Sequence, residues 1–221
     1  MNSVEYQKPR VKICCISSIK EAQLAISFGA SAIGLVSEMP SGPGVISEEL
    51  IREIALSVQA GIDTFLLTSK QNPEVVIAQQ QKTCVNTIQL VDAFPLSGYA
   101  VLRKALPGIH LVQVIHIGGD KSIHEATAIA PYVDAILLDS GNPSLATKEL
   151  GGTGRTHDWS VSRRIRGDVN IPIYLAGGLN PENVHDAIMQ VHPYALDVCS
   201  GVRTNGHLDR QKLISFFSNI K

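Results

Sequence analysis

Strong charge, long apolar runs and paired cysteines are all missing from this chain of 221 residues. Its 19 lysines and arginines are interspersed with 20 aspartates and glutamates, for a formal net charge of −1. That argues against the basic footprint of a nucleic-acid or anionic-membrane binder and points to a small-molecule partner. No run approaches the roughly 18 consecutive apolar residues of a membrane span. The opening stretch MNSVEYQKPRVKICC carries charges but no apolar signal segment, so the expected location is the cytoplasm. The cysteines at 14, 15, 84 and 199 form no CxxC pair and no cluster with histidine at zinc spacing. A disulfide framework and a structural metal are therefore not expected.

What is present is repetition. Eight short apolar runs recur: VKICCI from 11, AIGLV from 32, DTFLLT from 63, NTIQLV from 86, HLVQVIH from 110, DAILLD from 134, IPIYLA from 171 and ALDVC from 195. Segments of helical periodicity separate them, and DRQKLISFFSNI ends the chain on another. Strict alternation implies parallel strands with right-handed crossovers, and eight repeats close a (β/α)₈ TIM barrel. An open doubly wound sheet is the rival, but no GxGxxG follows the first run. With no linker or low-complexity segment, residues 1–221 are expected to form a single barrel domain. Helix starts are marked at Ser47, at Asp158 and at Asn180 before Pro181.

In a barrel, chemistry sits at the carboxyl ends of the strands. Alternation groups Lys12 with Cys14 and opposes them to Ile13 and Cys15. A lysine does not belong in the apolar layer under the helices, so Lys12 marks the axial face; Cys14 then reaches the mouth and Cys15 packs behind it as a small hydrophobe. The same parity places Gln89, Asp139 and Asp197 on the axis. This polar set is either a satisfied plug or an acid–base site, and a cysteine facing a carboxylate across a mouth suits proton transfer. LAGGLNPENV, with Gly177 and Gly178, and DVCSGVRTNG, with Ser200 and Gly201, follow the last two runs, where barrels frequently hold phosphate on backbone N–H groups. The longest interval, SGNPSLATKELGGTGRTHDWS, contains Gly152, Thr153 and Gly154. It is a surface excursion or a lid, and beside a phosphate cradle the lid is preferred, with Trp159 anchoring its end by packing and the three residues counted with the phosphate set.

Taken in order, VKICC, GASAIGLV, LLDS, GGTGRTHDWS, LAGGLNPENV and LDVCSGVR resemble the phosphoribosylanthranilate isomerase family, over nearly the whole chain and most specifically from LLDS to SGVR. The resemblance implies an Amadori rearrangement of a phosphoribosyl-linked anthranilate in tryptophan biosynthesis, no cofactor, and a monomer or homodimer. It also implies that Cys14 is the general base and Asp139 the general acid. Lys12, Gln89, Asp197 and Arg203 are further candidate substrate contacts. Along an extended strand Lys12 lies about 7 Å below Cys14, so its help to a thiolate is expected to be modest.

The chain departs from the family at the substrate's aromatic end. The loop SEMPSGPGVIS lacks the family's carboxylate-gripping arginine, and QLVD stands where the family has QLHG. Cys15 replaces a glycine, and GVR replaces GVE. Arg203 has three readings at this point: a substitute carboxylate clamp, a site for another anion, or a solvated surface residue. A paralogue acting on a different amino-sugar phosphate and a non-catalytic phosphometabolite-binding barrel remain the alternatives.

Overall fold

Eight parallel strands pair in chain order and close on themselves. They are β1 (Arg10–Ile13), β2 (Ala32–Val36), β3 (Asp63–Thr68), β4 (Thr87–Leu90), β5 (His110–His116), β6 (Ala135–Asp139), β7 (Ile173–Leu175) and β8 (Ala195–Val198). Closure is the pairing of β1 with β8, in register from Arg10 opposite Ala195 to Ile13 opposite Val198. The molecule is described by a computed structural model covering residues 8–142, 145, 148–151 and 154–220. The helices are α1 (Ile19–Ser27), α2 (Glu48–Ser57), α3 (Pro73–Thr83), α4 (Leu96–Ala105), α5 (Lys121–Ile129), α6 (Trp159–Asp168), α7 (Val184–Val191) and α8 (Arg210–Ser218). A short hairpin, β9 (Arg203–Thr204) and β10 (His207–Leu208), intervenes between β8 and α8. Among the described residues no helix is long and apolar enough to cross a membrane.

The expected TIM barrel is therefore observed, and strand alternation divides its apolar residues into two separate cores. One set, including Ile33, Leu66, Ile136 and Leu196, packs outward against helix residues such as Ile51, Ile165 and Ile188. The other, including Ala32, Phe65, Val112, Leu137 and Tyr174, fills the barrel axis. Phe65 and Tyr174 meet edge to face with centroids 5.6 Å apart, in the axial core beneath the polar groups. Each fully buried Leu or Ile contributes about 1.5–3 kcal/mol through apolar burial, so the outer layer carries most of the stability and leaves the axis free to hold chemistry.

Two of the marked helix starts are as expected. Ser47 Oγ accepts the Leu50 amide and Asp158 Oδ1 accepts the Ser160 amide, each satisfying a first-turn donor. Asn180 differs: its side chain accepts from the amides of Glu182 and Asn183, closing a turn, and α7 starts only at Val184. Trp159 opens α6 and packs against the outer core, as expected of an anchor. β1 ends at Ile13, two residues before the alternation argument assumed. Leu66→Ala, which empties a fully buried position between β3 and the helices, is expected to lower stability by about 2–5 kcal/mol in urea denaturation.

Candidate active site

At the carboxyl end of the barrel lies a cavity partly open to solvent. Cys14, Gln89, Asp139 and Asp197 line its floor, and Gly154, Gly177, Gly178 and Ser200 line one flank. Val36, Met39, Pro43 and Leu150 supply an apolar flank.

Lys12 is fully buried beneath this floor. Its ammonium donates to Asp197 Oδ2 at 2.8 Å, sits 5.0 Å from the Phe65 ring centroid, and reaches Cys14 Sγ at 3.7 Å. The expected separation is therefore corrected: the distance along the strand separates the backbones, but the extended side chain closes it. A thiolate on Cys14 meets its compensating charge directly. Burial pulls the Lys12 ammonium toward deprotonation, and Asp197 with the neighbouring thiols outweighs it, so the net direction is up. Gly34 on β2 makes the room, because a Cβ there would lie 2.8 Å from Cys14 Sγ and 3.2 Å from Lys12 Cε.

Asp139, closing β6, is buried, and burial raises its pKa; the charge of Asp197 adds to that, while the Ser140 amide, His116 and Lys12 oppose it. A raised pKa moves a carboxyl in the direction that proton donation requires. Gly151 comes down on it, since a Cβ there would sit 3.0 Å from Asp139 Oδ2. Gln89 Oε1 and Asp197 Oδ1 are buried at the cavity floor without hydrogen-bond partners, two acceptors available to ligand hydroxyls.

Cys15 is not where alternation puts it. With β1 over, its backbone turns left-handed, φ 60°, and its side chain enters the cavity beside Cys14 instead of the layer under the helices. It fills the space beside the SGPG segment: Cys15 Sγ lies 3.6 Å from the Pro43 carbonyl, and a Cβ on Gly44 would lie 2.6 Å from Cys15 Cβ. Arg203 fits none of its three readings. It is buried against Glu21 at 2.9 Å and donates through Nη2 to the carbonyls of Cys14 and Cys15 at 3.1 and 2.7 Å. It braces the turn that carries the two cysteines rather than facing a ligand. Glu21, 182 positions away in sequence, also accepts from the amides of Ser17 and Leu208.

Gly154, Gly177, Gly178 and Ser200, expected to hold phosphate, are brought together on one side of the cavity. Their backbones touch: a Cβ on Gly178 would lie 2.6 Å from the Arg155 backbone, and one on Gly201 would lie 1.9 Å from the Leu179 carbonyl oxygen. Gly177 and Gly178 have φ of 85° and 62°, a conformation glycine adopts without penalty. Gly152 and Thr153 lie outside the described residues. Behind the cradle His157 bonds Ser162 Oγ at 2.7 Å through Nε2, and burial pushes its pKa down to about 4.

Sequence reasoning missed the ties over the mouth. Lys148 pairs with Asp92, the residue replacing the family's glycine, and its carbonyl accepts from Ser41 Oγ, so the long loop is fastened to those after β2 and β4. Val91 is buried in the axial core, and its carbonyl is bonded by His116 Nε2 at 3.0 Å. The only signal for any of this was the acidic residue in QLVD. Among the described residues no group of three or more His, Cys, Asp or Glu is arranged to hold a metal.

Comparison with known proteins identifies the family and agrees with the fold. The profile of the family described as N-(5'phosphoribosyl)anthranilate (PRA) isomerase matches residues 11–219. N-(5'-phosphoribosyl)anthranilate isomerase 2 of Methanosarcina mazei is 36% identical over 214 residues, covering 96% of this chain and 94% of that protein. The phosphoribosyl anthranilate isomerase of Thermotoga maritima superposes with a TM-score of 0.82 at 29% identity, covering 96% of this chain and 98% of that one. A phosphoribosyl anthranilate isomerase in complex with reduced 1-(o-carboxyphenylamino)-1-deoxyribulose 5-phosphate superposes with a TM-score of 0.80 at 27% identity and the same coverage.

Two measurements check the electrostatics. Arg203→Met removes one partner of a nearly buried pair, side chains 9% and 13% exposed, and is expected to cost about 3–5 kcal/mol. Burial pushes the Glu21 carboxyl up, but Arg203 and two amides outweigh it and hold the group below its ordinary value of 4.5, so the stability it supplies is present above that pH and lost as pH falls through the lower folded value. The difference between wild type and Arg203→Met should accordingly shrink in acid. The His157 ring, followed by NMR, should stay neutral until about pH 4.

Proposed function

The chain belongs to the N-(5'-phosphoribosyl)anthranilate isomerase family, and from that premise we propose how its residues carry the reaction. The activity is the isomerisation of N-(5'-phosphoribosyl)anthranilate to 1-(o-carboxyphenylamino)-1-deoxyribulose 5-phosphate in tryptophan biosynthesis. The observation that carries the assignment of roles is that Cys14, beside the Lys12 ammonium, and Asp139, held toward its protonated form, line one cavity.

The substrate phosphate lies on the backbone of the loops around Gly154, Gly177, Gly178 and Ser200, with Gly201 setting the close approach of the last two loops. The anthranilate ring lies against Met39, Pro43 and Leu150. Gln89 and Asp197 accept hydrogen bonds from the sugar hydroxyls. Asp139 gives its proton to the ribose ring oxygen as the C1′–O bond breaks, and the electron pair of the anthranilate nitrogen forms the C=N bond of the Schiff base. The Cys14 thiolate then takes the proton from C2′, and the electrons left behind form the C1′=C2′ bond of an enolamine. Tautomerisation moves a proton onto C1′ and leaves the C2′ ketone. Arg203 acts through the backbone of Cys14 and Cys15 and touches no substrate. The enzyme is a cytoplasmic monomer or homodimer and needs no cofactor for these steps.

Cys14→Ala and Asp139→Asn each remove one acid–base step and are each expected to lower kcat by about 10²–10⁴-fold with little change in KM. Turnover of the phosphoribosyl substrate by purified protein is the readout. Variants that match wild type would remove the assigned roles, and wild type without turnover, unable to rescue a tryptophan auxotroph lacking the isomerase, would remove the reading as a whole.

A further inference from the structure

Three of the four cysteines, Cys14, Cys15 and Cys199, line the one cavity, and the reaction uses only Cys14. We propose that Cys15 and Cys199 are an oxidation site, a thiol pair that peroxide converts to a disulfide across the ends of β1 and β8, closing the mouth reversibly. Its effect on turnover rests on the function assigned above, whereas the bond itself does not.

The backbone brings the pair together. Ile13 pairs with Val198, and the Cys14 amide continues the ladder to the Val198 carbonyl at 2.9 Å. The two strand ends therefore leave the barrel side by side, Cys14 opposite Cys199 and Cys15 one residue beyond it; paired strands stand about 4.7–4.9 Å apart, and a disulfide takes a Cα separation of about 4.4–6.8 Å. The left-handed turn at Cys15 brings its side chain into the cavity that Cys14 and Cys199 also line, with Sγ 3.6 Å from the Pro43 carbonyl. A bond between Cys14 and Cys15 is disfavoured, because adjacent Cα atoms across a trans peptide stand about 3.8 Å apart, short of that window. Cys14 is also engaged by Lys12.

Reactivity falls on Cys199. The Arg203 side chain is nine-tenths buried, its Nη atoms are taken by Glu21 and by carbonyl oxygens, and its buried Nε finds no oxygen or nitrogen partner. The Cys15 thiol first, and then the Arg203 guanidinium, lower the pKa of Cys199 against the effect of burial, while the pKa of Cys15 is raised. A cavity-lining cysteine of lowered pKa, with a second cysteine lining the same cavity, is an arrangement that oxidises selectively. The Cys199 thiolate attacks hydrogen peroxide, forming an S–OH bond as the O–O bond breaks and hydroxide leaves. The Cys15 thiol then displaces water from that sulfenic acid, forming the S–S bond. Two thiols are oxidised and one peroxide is reduced. The new bond ties the turn carrying Cys14 to the loop carrying Ser200, on the phosphate side of the mouth.

The test treats purified protein with hydrogen peroxide and maps its peptides by mass without reduction. The expected result is a Cys15–Cys199 linked peptide lighter by two hydrogen atoms, loss of turnover, and recovery of both thiols and turnover with dithiothreitol. Cys15→Gly, which suits a left-handed backbone, and Cys199→Ser should each keep a larger fraction of their own turnover after peroxide than wild type keeps. A link through Cys14 or Cys84, oxidation of Cys14 to sulfinic acid with no link, or a linked protein of undiminished turnover would overturn the proposal. Protein inactive before peroxide would count against the assigned function alone, since the mapping needs no substrate.

Discussion

A fully buried ammonium on the barrel axis is the constraint around which the mouth is arranged. An unpaired charge in that position would cost several kcal/mol, so Lys12 demands compensation, and the sequence supplies it from three strands: Asp197 on β8, the ring of Phe65 on β3, and Cys14 just past its own strand. The consequences differ for the two groups proposed as base and acid. The ammonium offers its charge to whatever negative charge Cys14 acquires. Asp197, which neutralises the ammonium, adds its own negative field at Asp139 and helps keep that carboxyl protonated. One ion pair thus reaches both groups, its ammonium in contact with Cys14 and its carboxylate adding to the burial that raises the Asp139 pKa. Gly34 belongs to this arrangement, because any side chain on that strand position would occupy the space of the thiol.

The opposite wall is built from backbone. Where the loops after β6, β7 and β8 meet, Cβ positions on Gly178 and Gly201 fall inside neighbouring main chain. The glycines therefore do more than permit turns; they let three loops approach until peptide groups, not side chains, face the cavity. Across the mouth the long loop is fastened at Lys148, which meets Asp92 on one side and Ser41 on the other. That seats Leu150 in the axial apolar cluster and Gly151 over Asp139. Asp92 is a departure from the family that has been given a structural task.

Period-two reasoning was enough to find the eight strands, the closed barrel and the inward residues Lys12, Gln89, Asp139 and Asp197, because each lies within a regular strand or at its last residue. It failed at Cys15 because alternation lasts only as long as extended backbone does, and β1 ends at Ile13. It underrated Lys12 by measuring between Cα positions a contact that a long side chain makes. Arg203 was illegible for another reason: its meaning lies in Glu21, at the far end of the chain, and no local pattern announces an ion pair across 182 positions. The ties of Lys148 were hidden in the same way, in a loop with no periodicity to read.

Two departures from the family that look independent in sequence, Cys15 for glycine and Arg203 for glutamate, are one feature in space. A left-handed conformation costs a non-glycine residue roughly 1–2 kcal/mol, and such a residue persists only where its surroundings hold it. Here the holder is Arg203, whose guanidinium bonds the carbonyls of both Cys14 and Cys15 while Glu21 fixes it from behind. A glutamate at 203 would present oxygen to those same carbonyl oxygens, and the turn would lose its brace. With a glycine at 15 the brace would be dispensable. The side chain that Cys15 introduces is then accommodated by Gly44, whose missing Cβ is the room the cysteine occupies. Residues 15, 44 and 203 therefore form one interlocked set, and its product is a rigidly aimed Cys14 with a second thiol placed beside it.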